Sequence, residues 1–335
     1  MKHSHKKFWL LFFACLLMMT GCAKSNQEKT AQTSSSDTQQ QNAKDKMNIV
    51  VTNTILKDMV ENVVGDHGAV YSIVPAGQDP HEWQVVPEDV KHATDADVIF
   101  YNALNLETAN SWFEKMMEQA QKKENQDFYA VSKNVTPIYL ESEGQQGQQD
   151  PHAWLNIQNG IKYVEEMTTV LKEKDPDHAN DYEKNAKSYI EKLTTLHNKY
   201  QDAFQDIPES KRLLIASEGA FKYFSRAYGL ENAYIWEINT EKQGTPDQMK
   251  AITDKIKSSE VPVLFVESSV DHRTMEKVSQ EVNRPIYAEI YTDSVGIIND
   301  DDKDKDEKTD FQVDTYYGMM HWNLEKIHAG LSQSL

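Results

Sequence analysis

The chain has 335 residues, with 35 Lys and Arg against 53 Asp and Glu, for a formal net charge of −18. That balance opposes binding to nucleic acid and electrostatic docking on anionic lipid, because both need a cationic face. The residues beyond position 46 suffice for two ordinary domains with large cores, and past the N-terminal stretch no segment is apolar enough to span a bilayer.

Lys2, Lys6 and Lys7 precede an apolar run over 8–19, placed and sized as a signal sequence. The run ends in Met19-Thr20-Gly21-Cys22, which resembles a bacterial lipobox. This predicts a lipoprotein signal peptide over 1–21, cleavage before Cys22 and lipidation of its thiol. Residues 22–46 are mainly Ser, Gln, Thr, Ala and Lys, and read as a flexible tether. Two acyl chains on Cys22 anchor such a tether stably where one would be marginal. The only other cysteine, Cys15, leaves with the leader, so the mature chain offers neither a disulfide nor a thiolate ligand.

Strand and helix signals then alternate. A strand over 47–52 is followed by a helix carrying Ile55, Met59, Val63 and Val64 on one face. Strands are expected over 70–74, 97–101 and 128–131, with a short helix opened by Pro87 and an amphipathic one over 108–122. Helices over 156–174 and, opened by Asp175-Pro176, over 176–207 come next; the latter keeps one apolar stripe from Tyr182 to Ile207. About 30 residues of helix span about 45 Å, longer than one small lobe is wide. Strands over 212–216, 234–238, 261–266 and 285–291 follow, with helices over 219–229, 246–258, 271–282 and 315–331. The predicted fold is α/β, with two similar lobes of mostly parallel four-stranded sheets (47–175 and 208–335) joined by one long helix (176–207).

One five-residue pattern occurs twice, as Asp79-Pro80-His81-Glu82-Trp83 and Asp150-Pro151-His152-Ala153-Trp154. Proline presets its own φ and pushes the Asp towards extended geometry, so each imidazole leaves the backbone in a fixed direction. In parallel sheets ligands gather beyond the carboxyl ends of strands. His81 and His152 lie there, as do Glu218, after Leu213 to Ser217, and Asp293, after Ile290 to Thr292. Two neutral imidazoles and two carboxylates carry −2, which one divalent cation neutralises. The set suits Mn, Fe or Zn, not Cu(I) or an all-oxygen calcium site. Glu267, ending Val263 to Val266, is a competing donor read as a hydrogen-bonding neighbour of the site, and Trp83 and Trp154 are expected to wall it. His67, His92, His178, His197, His272, His321 and His328 read as surface or satisfied histidines. A metal-dependent hydrolase is the main rival, but Val85 stands where H-E-x-x-H needs its second His.

Both Asp-Pro-His motifs, Ser217-Glu218-Gly219-Ala220-Phe221-Lys222-Tyr223-Phe224, Trp236-Glu237-Ile238-Asn239-Thr240 and Tyr291-Thr292-Asp293-Ser294 resemble the manganese-type metal-binding lipoproteins of bacterial ABC importers, the cluster A-I solute-binding proteins of the lipoprotein receptor antigen and adhesin family. The resemblance covers essentially the whole chain after the tether. It implies that His81, His152, Glu218 and Asp293 bind the metal, between two lobes joined by a helix that moves little. It implies a non-enzymatic monomer anchored on the extracytoplasmic face of the cell membrane, delivering Mn2+ to a permease and its ATPase, with adhesion as an alternative role. Zinc-type relatives usually carry His where Glu218 stands and a His-rich loop before the second motif; the loop over 141–149 has no His. Manganese is favoured over zinc, with iron open. The acidic run 299–310 is longer than the family pattern leads one to expect, and reads as a solvated loop.

Overall fold

The structure, a computed structural model, describes residues 46–108, 111–240, 242–298 and 312–334. The leader, Cys22, nearly all of the tether and the acidic run 299–310 lie outside the described residues. Among those described, no helix is long and apolar enough to cross a membrane.

The first half is a four-stranded parallel sheet. Its strands are β1 (Met47–Val51), β2 (Gly68–Ser72), β3 (Val98–Tyr101) and β4 (Phe128–Ala130), in the order β2-β1-β3-β4. Between them run α1 (Thr54–Val64), α2 (Pro87–Asp95) and α3 (Trp112–Gln119). Asn53 caps α1 by accepting from the backbone N–H groups of Ile55 and Leu56, so the chain turns sharply from strand to helix at the sheet's carboxyl edge.

After α4 (Ile157–Lys174) the predicted 30-residue helix is shorter than expected. Pro176–His178 form a 3-10 turn, α5 occupies Ala179–Ala203, and Phe204–Asp206 close it with another 3-10 turn. Proline lacks the N–H that a regular α turn needs, and i→i+3 bonding tightens a helix end, so the regular part spans only about 38 Å. Its buried stripe runs from Tyr182 through Tyr189 and Leu193 to Tyr200. It packs on α1 and α4 on one side and on helices of the second half on the other.

The second half contains β5 (Leu213–Glu218), α6 (Lys222–Tyr228), β6 (Glu231–Trp236), α7 (Pro246–Lys257), β7 (Leu264–Glu267), α8 (Arg273–Val282), β8 (Ile286–Ile290) and α9 (Tyr316–Leu331). Strand β6 starts earlier than the expected 234–238, because Gly229 takes the left-handed conformation and the chain re-enters the sheet at Glu231, whose N–H meets the Arg212 carbonyl. All ladders are parallel, but the described strands pair as β5-β6 and β7-β8 rather than as one continuous ladder. β5 and β7 still lie side by side. At their carboxyl ends it is the Glu267 side chain that accepts the backbone N–H groups of Ser217 and Glu218, at 3.0 and 2.7 Å.

The two halves do not have separate cores. One buried apolar cluster runs from Ile49 in β1 through Tyr163, Leu193 and Phe224 to Leu331 in α9, and a smaller one lies under α2 and α3. Tyr316 at the start of α9 joins the halves directly. Its hydroxyl donates to the Trp154 carbonyl at 2.6 Å, and its backbone N–H donates to Asp58 of α1.

Candidate metal centre

Glu218 ends β5 and Asp293 lies three residues past β8, whereas His81 and His152 come on longer connections after β2 and β4, and the fold brings all four together. His81, His152, Glu218 and Asp293 are 0–1% exposed, and one donor atom from each lies within 4.8 Å of all the others. The imidazole Nε2 atoms are 3.3 Å apart; His81 Nε2 lies 3.9 Å from Glu218 Oε1 and 3.8 Å from Asp293 Oδ1, and His152 Nε2 lies 3.7 and 3.5 Å from the same two oxygens. A regular tetrahedron with edges of about 3.3–3.9 Å, the range of these five separations, has its centre about 2.0–2.4 Å from each corner, which brackets metal–nitrogen and metal–oxygen bond lengths; the sixth separation, between the two carboxylates, is within 4.8 Å.

The Asp-Pro-His motifs build this geometry in a way their sequence only half announces. In both copies the Asp carboxylate accepts the backbone N–H of the His two residues on, at 2.7 Å for Asp79–His81 and 3.0 Å for Asp150–His152. Asp150 Oδ1 also meets His152 Nδ1 at 2.9 Å, which turns Nε2 towards the other donors. Lys222 Nζ binds Asp150 Oδ2 at 3.0 Å and Glu237 at 2.6 Å, and Glu237 in turn accepts the backbone N–H groups of Glu141 and Ser142. Asp293 is held by its other oxygen, Oδ2, through Ser269 and Thr292 hydroxyls. Glu218 Oε1 accepts the Asn239 backbone N–H at 2.8 Å.

Three buried polar atoms of the site have no hydrogen-bond partner among the described residues: Glu218 Oε2, Asp293 Oδ1 and His81 Nδ1. Orphaned buried carboxylate oxygens are costly unless a cation satisfies them. Charge tells the same story. Burial pushes the Glu218 carboxyl well above its ordinary range, and Asp293 and Asp79 add to this. Two charged carboxylates within 4.8 Å of each other repel by roughly 3–4 kcal/mol at an effective dielectric near 20. Burial lowers the His81 imidazole. For His152 burial acts downwards too, but Glu218 and Asp150 outweigh it and hold the ring well above its usual value, while Asp293 falls to about 2 beside it despite burial. Without a metal, the site therefore holds a proton where a cation fits.

The two tryptophans differ. Trp154 lies edge-on to His152 with ring centroids 5.5 Å apart and donates to the Thr292 carbonyl, next to Asp293. Trp83 does not wall the site with it: its indole binds Asp89, and it packs on the smaller core cluster. Tertiary partners decide this, and the shared motif does not reveal them. Glu267 is fully buried, pushed to about 7 by burial, and touches Glu218 through the backbone. Among the other histidines, His67 binds Asp181, His178 binds Asp175, and His92 stacks on Tyr71. His197 is buried rather than on the surface, with Nδ1 against the Tyr228 hydroxyl. Sequence reasoning missed Asn239 and Lys222 as supports; the Asp two residues before each His was a legible signal, since Asp commonly accepts the N–H two positions on.

A family model described as ZnuA, zinc-uptake complex component A, periplasmic, matches residues 49–330. The manganese ABC transporter substrate-binding lipoprotein scaA of Streptococcus gordonii is 50% identical over 319 residues, covering 95% of this chain and 97% of its own. The manganese ABC transporter substrate-binding lipoprotein PsaA of Streptococcus pneumoniae is 47% identical over 324 residues, covering 96% and 97%. Among solved structures, the Mn-bound periplasmic metal binding protein of Candidatus Liberibacter asiaticus matches with a TM-score of 0.73 at 26% identity, over 85% of this chain and all of that one. The periplasmic zinc binding protein TroA of Treponema pallidum gives 0.74 at 26% identity, over 86% and 100%.

Proposed function

This chain belongs to the ZnuA family, and from that membership we propose that it is the metal-binding component of an ABC importer, capturing Mn2+ between its two halves and delivering it to a permease and its ATPase. The observation that carries the reading is the enclosed set of two imidazoles and two carboxylates at metal-bond spacing. His81, His152, Glu218 and Asp293 are the ligands on this reading, with 47–175 and 208–335 as the lobes and 176–207 as the connection. Family membership assigns a solute-binding protein and not an enzyme.

The family model carries a zinc description, whereas the two streptococcal relatives described above are named for manganese. The donor set favours the relatives. A carboxylate at position 218 is a harder donor than imidazole, and its orphaned Oε2 can add a further bond for a metal that accepts higher coordination. By the Irving–Williams order the site still holds Zn2+ more tightly at equilibrium, so manganese is selected by availability or by release to the permease. Competition titrations of wild type and Glu218→His test this. The substitution weakens Mn2+ much more than Zn2+ binding; an unchanged ratio removes Glu218 from the ligand set. The protein works as a lipid-anchored monomer on the extracytoplasmic face of the membrane. Cys22→Ala is expected to release it or leave it unprocessed, and retention of a mature-sized mutant in the membrane fraction refutes the anchor.

A further inference from the structure

The loop carrying His81 belongs to the first half, and the end of β5 carrying Glu218 and the loop carrying Asp293 to the second. Asn239, in the loop after β6 and 6% exposed, touches both sides. Its backbone N–H donates to Glu218 Oε1 at 2.8 Å, and its side-chain Nδ2 donates to Asp79 Oδ2 at 3.2 Å. The amide cannot be turned over without loss, because the Trp236 indole N–H donates to Oδ1 at 2.9 Å, so the NH2 must face Asp79. The other oxygen of Asp79 accepts the His81 N–H. His81 Nδ1 has no partner of its own among the described residues, so on this side the hold is on the His81 backbone, through Asp79, where Asp150 also grips the His152 ring. Nearby, the Ser294 hydroxyl accepts the Gly77 N–H at 2.8 Å, a second tie from the Asp293 loop to the His81 loop.

We propose that Asn239 is the latch of the closed site: it joins the halves through Asp79, orients His81, and sets how fast the metal leaves. This deepens the metal-capture reading and depends on it. Cutting one hydrogen bond to a charged partner speeds release of Mn2+ by about tenfold in Asn239→Ala. Asn239→Asp is faster still, because its carboxylate keeps the Trp236 bond but faces Asp79 with like charge. Asp79→Asn alone sets two amide donors against each other. In Asp79→Asn/Asn239→Asp the new amide at position 79 donates to the new carboxylate at position 239 while still accepting the His81 N–H, with total charge unchanged.

The experiment is a chelator chase of Mn2+-loaded full chain, following release by stopped flow, for wild type, both single substitutions to the charge-reversed partner, the double variant and Asn239→Ala. Melting of the metal-free proteins controls for folding. Release at the wild-type rate in the double variant, with both singles faster, establishes the latch; should Asn239→Ala fail to fold, this cycle still decides. A double variant at least as fast as the faster single, or single variants that release at the wild-type rate, overturns it. Wild type that takes up no Mn2+ defeats the site reading instead, a different outcome from a latch that fails in a protein that loads.

Discussion

The two copies of Asp-Pro-His-x-Trp have nearly the same letters and very different surroundings. Residues 150–155 are all buried, with Asp150 bonded to His152 twice and to Lys222, Pro151 held by Asn102, and Trp154 fixed at both its indole and its carbonyl. In the first copy Glu82 is exposed, Trp83 half-buried and turned to Asp89, and His81 leans on the backbone bond to Asp79. One half of the site is a fixed anvil; the other is a loop laid across it. The repeat supplies an imidazole in both places, and its neighbours decide how firmly each is held.

Removing the carboxylate from each copy is the strongest way to break this comparison. Asp150→Asn sets an amide NH2 against Lys222 and weakens the orientation of His152, and we expect it to lower Mn2+ affinity by about 100-fold, against about tenfold for Asp79→Asn. Equal losses in competition titrations mean the two copies are equally supported.

Protons give a finer contrast. His152 and Glu218 are both raised and face each other, whereas burial lowers His81, so a metal entering the site is expected to displace a proton shared by His152 and Glu218 and none from His81. A raised imidazole stays protonated above the ordinary 6.5, so apparent affinity climbs about tenfold per pH unit through pH 7 instead of levelling there. Calorimetric titration in buffers of different ionisation heat should show at least one proton released at pH 7. No release, or affinity flat from pH 6 to 8, removes the asymmetry.

The smallest effect concerns glycine. A Cβ on Gly160 runs into the Tyr316 ring and hydroxyl that hold the Trp154 carbonyl, deep in the rigid half. Gly160→Ala is expected to cost about 1–3 kcal/mol by overpacking. Gly77, with φ +77° in the looser loop, meets only the tip of the exposed Ile297, and Gly77→Ala costs about 1 kcal/mol of backbone strain. Melting of the metal-free variants ranks them, and the reverse order means that the first loop is the better packed.

Most of the fold was legible because period and strand-end position are local properties. Glu218 and Asp293 stood out for that reason, each following an apolar run, and His81 and His152 because a five-residue motif occurs twice. What tertiary partners decide was not legible. Nothing in Trp236-Glu237-Ile238-Asn239-Thr240 marks Asn239, whose partner Asp79 lies 160 positions away. Trp83 and Trp154 could not be told apart because Asp89 and Thr292 separate them. The ends of α5 were overestimated because an apolar stripe continues smoothly through 3-10 turns at both ends.

The continuous buried cluster through both halves has a kinetic meaning. The larger of the two buried clusters is shared by both halves, so their opening is coupled, and heat or denaturant is expected to unfold them together. On the proposed ligand set, bound metal protects every helix in both halves, and saturation at 1,000 times the dissociation constant adds about 4 kcal/mol to the whole. A protease that attacks only opened chains therefore consumes empty molecules far sooner than loaded ones. Scarcity of the ion is thereby recorded as a shortened lifetime of its carrier.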